Sequence, residues 1–281
     1  MKDLIKLCKL RISLLSSFSA AAGFALSPFH EWPRLIPLIS GVFILACGAC
    51  ALNQYQERDI DSRMPRTCNR PLPSGRIKPL NALLFSVFLL TAGFFILQFM
   101  FGLKTSALGL FAVVWYNGAY TYLKKKTAFA VIPGALTGAA PPAIGWIAGG
   151  GMPSDPQLLT LCFFFFMWQV PHFWLLIMNY GGEYKSAGLP SLTGIFTRAQ
   201  LLRIIFIWIV CTSVSGLLIS ANKLINSAFI NCVLAALSLW LSWCGAGFLK
   251  DRSAAGPLFF RKINIYMFTV LVLIFAGALL V

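Results

Sequence analysis

Apolar residues in this chain come in long runs, and polar residues gather in the short gaps between them. Nine runs stand out, at about 11–29, 35–53, 80–101, 105–123, 128–150, 157–178, 200–220, 224–248 and 262–281. Each is near the length that a helix needs to cross the hydrocarbon core of a bilayer. The pattern predicts an all-α membrane protein with nine transmembrane helices in one bundle. The gaps leave no room for a soluble domain, so residues 1–281 read as a single integral-membrane domain. A composition of 58% hydrophobic and 11% charged residues agrees with this.

The second run does not end cleanly. Beyond Leu52 the helical pattern continues through Asn53, Glu57 and Asp61, and three of the chain's eight acids, Glu57, Asp59 and Asp61, fall within five positions. Spacings of i, i+4 and i+8 put Asn53, Glu57 and Asp61 on one helix face, with about 6 Å of rise between neighbours. Such a row repels itself unless a cation intervenes, and an all-oxygen donor set suits Mg²⁺. Arg66 and Arg70 follow, and a guanidinium can grip phosphate oxygens with two hydrogen bonds. Carboxylates, a hard cation and arginines together describe a diphosphate site. The bland alternative is a solvated helix end, but charge this dense is scarce elsewhere in the chain. Met64-Pro65 should end the helical extension, and Pro71 to Gly75 should form a stiff turn.

A net charge of +15 first suggests a nucleic-acid partner, but its distribution points elsewhere. With the N-terminus inside and sides alternating, the inner segments hold Lys2, Lys6, Lys9, Arg11, the cations from Arg58 to Lys78, Lys124 to Lys126, Lys185, Arg198, Arg203, Lys250, Arg252, Arg261 and Lys262. The outer segments hold only Arg34, Lys104 and Lys223. This is the positive-inside bias of a bacterial inner-membrane protein with a cytoplasmic N-terminus. The basic flank and apolar stretch at the N-terminus resemble a signal peptide and are read as an uncleaved first helix. Cys47 and Cys50 form a C-x-x-C within an apolar run, with no second pair at metal spacing, and read as small buried residues.

Further along, Asn117, Tyr120 and Lys124 share a helical face that could reach a phosphate from inside. The run at 128–150 is rich in breakers. Gly134 and Gly138 permit close helix contact, and Pro141-Pro142 should kink the helix. His172 lies inside an apolar run, directly after Pro171. A histidine there can ligate haem iron, handle protons or simply satisfy the core. The carbonyl freed by Pro171 could anchor one ring nitrogen. Glu183 is the only acid between Asp155 and Asp251. The topology puts it on the side of Glu57 and Asp61, where a second metal ion would need it. Arg66, Arg70, Lys124 and Lys185 are the candidate diphosphate cations. His30, Glu31 and Asp155 fall on outer connections and read as solvent contacts.

The stretch from Asn53-Gln54-Tyr55 to Gly75 resembles the metal–diphosphate motif of the UbiA-type intramembrane prenyltransferases. Three further segments extend the likeness over nearly the whole chain. These are Tyr120 to Thr127 with Pro141 to Trp146, then Trp168-Gln169-Val170-Pro171-His172-Phe173, and then Glu183 to Pro190. The last two are similar to the branch of that family that acts on haem. The resemblance implies a helical bundle around a central cavity, open to lipid, under a polar cap of cytoplasmic loops. It implies transfer of farnesyl from farnesyl diphosphate to a vinyl group of haem B, giving haem O. Asn53, Glu57 and Asp61 would be the catalytic first metal site, Glu183 would serve the second, and His172 is the candidate haem contact. Haem A synthase or terminal oxidase assembly is the implied partner. This chain departs from the family pattern in carrying Gly182-Glu183 where many relatives have an acidic pair or Lys-Asp. The competing readings are prenylation of an aromatic quinone precursor and transport of a lipid diphosphate.

Overall fold

A backbone immersed in hydrocarbon must satisfy its N–H and C=O groups within its own segment, and a helix does this. The computed structural model describes residues 2–250 and 255–280. It is helical, with no strand among the described residues. The order is α1 (Lys2–Leu7), α2 (Leu10–Ala25), α3 (Leu35–Asp61), α4 (Pro79–Phe101) and α5 (Leu103–Val113). A π-helical turn over Val114–Tyr120 leads into α6 (Thr121–Leu123). Then come α7 (Val131–Gly134), α8 (Leu136–Ala148), α9 (Pro156–Ser186), α10 (Arg198–Ala221), α11 (Ala228–Lys250) and α12 (Ala255–Leu279).

Seven helical stretches among the described residues are long and apolar enough to cross a membrane. They account for seven of the nine apolar runs. The first run gives α2, which is 16 residues long because it starts after a backbone break at Lys9 and stops before Ser27-Pro28. The fourth run is divided between α5, the π turn and α6. Helix α4 leaves large apolar side chains uncovered: Leu84, Phe88, Phe95 and Phe99 are all exposed. Arg252, counted above among the inner cations, lies outside the described residues.

Two cores organise the bundle. One gathers residues of α9, α10, α11 and α12 around Phe164, Trp174 and Tyr266. The other joins α2, α3, α4 and α8 around Phe24, Leu38, Leu97 and Ile144. Glycines set the closest approaches. A Cβ on Gly145 would run into the Ala20 carbonyl, and one on Gly23 into the Pro142 carbonyl, so α2 and α8 touch backbone to backbone. Gly134 and Gly138 make room for side chains instead, the ring of Tyr120 and the amide of Gln169.

The expected kink at Pro141-Pro142 falls elsewhere. Helix α8 runs through both prolines, and the interruption comes at Ala135, between α7 and α8. There Gly138 N–H turns to the Ala135 carbonyl, and the Gly134 carbonyl so released accepts the Thr137 hydroxyl at 2.7 Å. A side-chain hydroxyl thus replaces the lost backbone donor. The outer connections also differ from expectation. Asp155 accepts from Trp146 Nε1 at 2.8 Å and from Met152 N–H at 2.7 Å, tying the α8–α9 turn shut. His30 Nδ1 lies 2.9 Å from the Ser27 carbonyl, and its ring sits between Phe24 and Trp32.

Candidate active site

Helix α3 outlasts its apolar run by more than two turns, and its polar end is buried. Asn53, Glu57 and Asp61 are only 2%, 5% and 4% exposed. Buried carboxylates at the C-terminal end of a helix are unfavourable twice over, through desolvation and through the helix dipole. Each is offset by a cation from another segment. Lys124, just past α6, pairs with Glu57 Oε1. Arg70, from the 62–78 loop, pairs with Asp61 Oδ2 at 2.6 Å. Asn53 is bonded at both ends: its Oδ1 accepts from Lys9 Nζ at 3.0 Å, and its Nδ2 donates to Thr121 Oγ1 at 3.1 Å. Burial among these groups holds the Lys9 amine below its ordinary pKa, and the charges of Arg70 and Lys124 act in the same direction.

The π-helical turn is stitched to α3. Asn117 Nδ2 donates to the Ala49 carbonyl at 3.0 Å and to Gln56 Oε1 at 3.1 Å, and Gln56 Nε2 donates back to the Asn117 carbonyl at 3.1 Å. Asn117 therefore faces the α3 backbone and does not share a phosphate-facing side with Lys124. The π turn has a longer period than an α-helix, so it shifts the phase on which that expectation depended. Tyr116 and Tyr120 stack with centroids 6.0 Å apart, and Lys124 Nζ lies 5.9 Å from the Tyr120 ring centre.

The 62–78 loop meets the end of α9. Arg66 stacks over the Tyr180 ring at 5.1 Å, where α9 bends through non-helical angles at that residue. One turn on, Tyr184 feels the charges of Arg66, Arg70, Glu57 and Glu183. Both acidic segments thus act on one tyrosine. Glu183 is partly buried, and its Oε2 has no hydrogen-bond partner. Lys185 is exposed in the last turn of α9. The structure therefore gathers Asn53, Glu57, Asp61, Arg70 and Lys124, with Arg66 and Glu183 at the rim and Lys185 outside. Sequence reasoning missed Lys9, Thr121 and Tyr184. Nothing in the sequence distinguishes Lys9 from the other inner cations, and the only hint of Thr121 was its place among polar residues ending an apolar run.

His172 stands apart, about 16 Å along α9 from Glu183 at the helical rise. Its ring lies between Trp168 and Phe260, with centroids at 4.6 and 4.9 Å, and Phe173 meets it edge-on at 5.4 Å. The expected anchor to a carbonyl freed by Pro171 is not made, and Nδ1 is buried without a hydrogen-bond partner. The ring is held by aromatic packing.

Among the described residues no three His, Cys, Asp or Glu side chains form a ready metal cluster. The donors on α3 are two carboxylates and an amide, and Glu183 Oε2 is a buried carboxylate oxygen in need of a partner. That set fits a hard cation that completes its shell with water and phosphate oxygens. All eight cysteines are unbridged.

The sequence profile of the UbiA prenyltransferase family matches residues 14–280. The chain belongs to the UbiA prenyltransferase family. Among curated UbiA-family relatives, the protoheme IX farnesyltransferase of Geobacter sulfurreducens is 37% identical over 243 residues, covering 86% of this chain and 89% of that protein. The protoheme IX farnesyltransferase of Anaeromyxobacter sp. is 32% identical and covers 99% of this chain and 94% of its own. Among solved UbiA-type folds, a digeranylgeranylglyceryl phosphate synthase superposes with a TM-score of 0.81 at 18% identity, covering 100% of this chain and 99% of that one. A UbiA homologue from Archaeoglobus fulgidus, bound to DMAPP and Mg²⁺, superposes with a TM-score of 0.72 at 13% identity, covering 99% of this chain and 100% of that one.

Proposed function

We propose that this chain is a protoheme IX farnesyltransferase, which moves the farnesyl group of farnesyl diphosphate to a vinyl group of haem B and yields haem O. The observation that carries the diphosphate half is the buried row on α3, with Lys9, Lys124 and Arg70 set against its three members. The haem half rests on the curated relatives, which share that name at 32–37% identity over most of the chain.

Asn53, Glu57, Asp61 and Glu183 are the residues that would hold Mg²⁺, which supplies positive charge to the leaving diphosphate. Arg70 and Lys124 stand beside these acids and can turn to phosphate oxygens, with Arg66 steering from the rim and Lys185 from the exposed end of α9. The C1–O bond of farnesyl breaks and its electron pair leaves with diphosphate. Tyr116 and Tyr120 offer stacked ring faces to the allylic cation. The terminal vinyl carbon attacks C1, and the benzylic-type cation left next to the porphyrin takes water and releases a proton. This gives the hydroxyethyl carbon of haem O. His172 is assigned to the haem, and its buried, unpartnered Nδ1 would reach iron only once the Trp168 or Phe260 ring moves aside.

The whole chain is proposed to act as one domain of nine membrane crossings around a central cavity in the bacterial inner membrane. In this arrangement α2 and the α5–α6 segment complete the set, the N-terminus is cytoplasmic, and the polar cap faces the cytoplasm. Haem O then passes to haem A synthase or to terminal oxidase assembly. An acceptor competition tests the reading: labelled farnesyl diphosphate is offered with haem B and a hydroxybenzoate in equal amounts. Label should appear on haem. Label on the hydroxybenzoate would favour the quinone reading, and intact farnesyl diphosphate would favour transport.

A further inference from the structure

We propose that Lys9 is a phosphate-binding residue of the diphosphate site, presented by the break between α1 and α2. The assignment rests on the donor reading above.

The three members of the α3 row are each met by one cation, and each cation comes from a different segment. Two of these pairs are neutral overall, Lys124 with Glu57 and Arg70 with Asp61. The third is not. Lys9 Nζ donates to the amide oxygen of Asn53 at 3.0 Å, and an amide leaves its charge uncompensated. The excess positive charge of the row therefore sits on Lys9. An ammonium has three donors, and Asn53 uses one, so two remain for an anion's oxygens.

The backbone supports the same reading. Lys9 adopts φ +45° and ψ +53°, one of two non-glycine residues with positive φ among the described residues. A side chain disfavours this conformation, and a glycine would sit there without strain. The conformation persists because the surroundings hold it. Gln54, next to Asn53, donates to the carbonyls of Lys6 at 3.1 Å and Leu7 at 2.9 Å, and the Ser13 hydroxyl donates to the Cys8 carbonyl at 2.8 Å. Helix α3 thus clamps the break that aims Lys9 at its own polar face. A strained backbone, a dedicated clamp and an uncompensated amine are what an anion ligand requires, and positive-inside topology requires none of them.

The test uses the full-length protein in nanodiscs, with calorimetric titration of Mg²⁺-pyrophosphate and of farnesyl S-thiolodiphosphate, an inert donor analogue. Lys9→Gly removes the amine and suits the left-handed backbone. It should weaken both ligands about tenfold or more, while leaving the haem spectrum and melting temperature unchanged or the latter raised. Lys6→Ala, an exposed neighbour paired with Asp3, should bind as the parent does. Lys9→Gly binding within about twofold of the parent would overturn the assignment. So would a joint loss of diphosphate affinity, haem spectrum and stability, which would mark a structural role. If the parent itself binds neither ligand, the donor reading fails, and Lys9 with it.

Discussion

Glu57 and Asp61 are charged, buried, and at the end of a helix that repels negative charge. Only the cations opposite them make that placement tolerable. Removing a charge while keeping the shape should therefore leave the fold intact and remove function. Glu57→Gln and Asp61→Asn are each expected to lower haem O formation at least about 100-fold, with melting temperature little changed; parental turnover in both would contradict the site. Arg70→Lys keeps the charge and loses the forked geometry. It should raise KM for farnesyl diphosphate about tenfold and leave KM for haem unmoved, measured by varying each substrate in turn. At this scale the sequence was legible where spacing carried the signal: Asn53, Glu57 and Asp61 share a face by periodicity alone. It was illegible where partners came from afar. Nothing local pairs Lys9 with Asn53, 44 positions on, or marks Arg66 for the Tyr180 ring.

At the scale of elements, the π-helical turn decides where Tyr120 and Lys124 point. A π turn accommodates one residue more than an α-helix of the same rise. Inserting one alanine after Thr121, in the α-helical turn beyond the π segment, should rotate the residues that follow by about 100°. Lys124 would then lose Glu57. Membrane insertion and helix content by circular dichroism should persist while turnover disappears; retained turnover would show that the phase of this segment is immaterial. The apolar run at 105–123 foretold a helix here but not its winding, because hydropathy does not register one inserted residue. The prolines of α8 teach the same lesson. Pro141 and Pro142 suggested a kink, yet the break sits at Ala135, where a glycine and a threonine hydroxyl can settle the backbone.

For the whole molecule, the polar ends of α3, α6 and α9 and the start of α2 converge on one end of the bundle, the end that carries most of the cations. That asymmetry was legible from the charge pattern before any coordinates, because crossing a membrane sorts Lys and Arg by side. Which helix faces meet was not, since hydropathy does not say which helices pair. With the N-terminus inside, Cys68 on the 62–78 loop should escape a membrane-impermeant thiol reagent in intact cells and react in inside-out vesicles; a Lys223→Cys variant in a Cys68→Ser background should show the opposite. The most direct test of the central claim is mass spectrometry of the haem recovered after purified protein is incubated with haem B, farnesyl diphosphate and Mg²⁺. The account predicts haem B heavier by one farnesyl group and one hydroxyl group, formed by the parent, absent when the metal is chelated, and absent with Glu57→Gln. Haem B recovered unchanged from the parent beside intact farnesyl diphosphate, or equal product from Glu57→Gln, would contradict it.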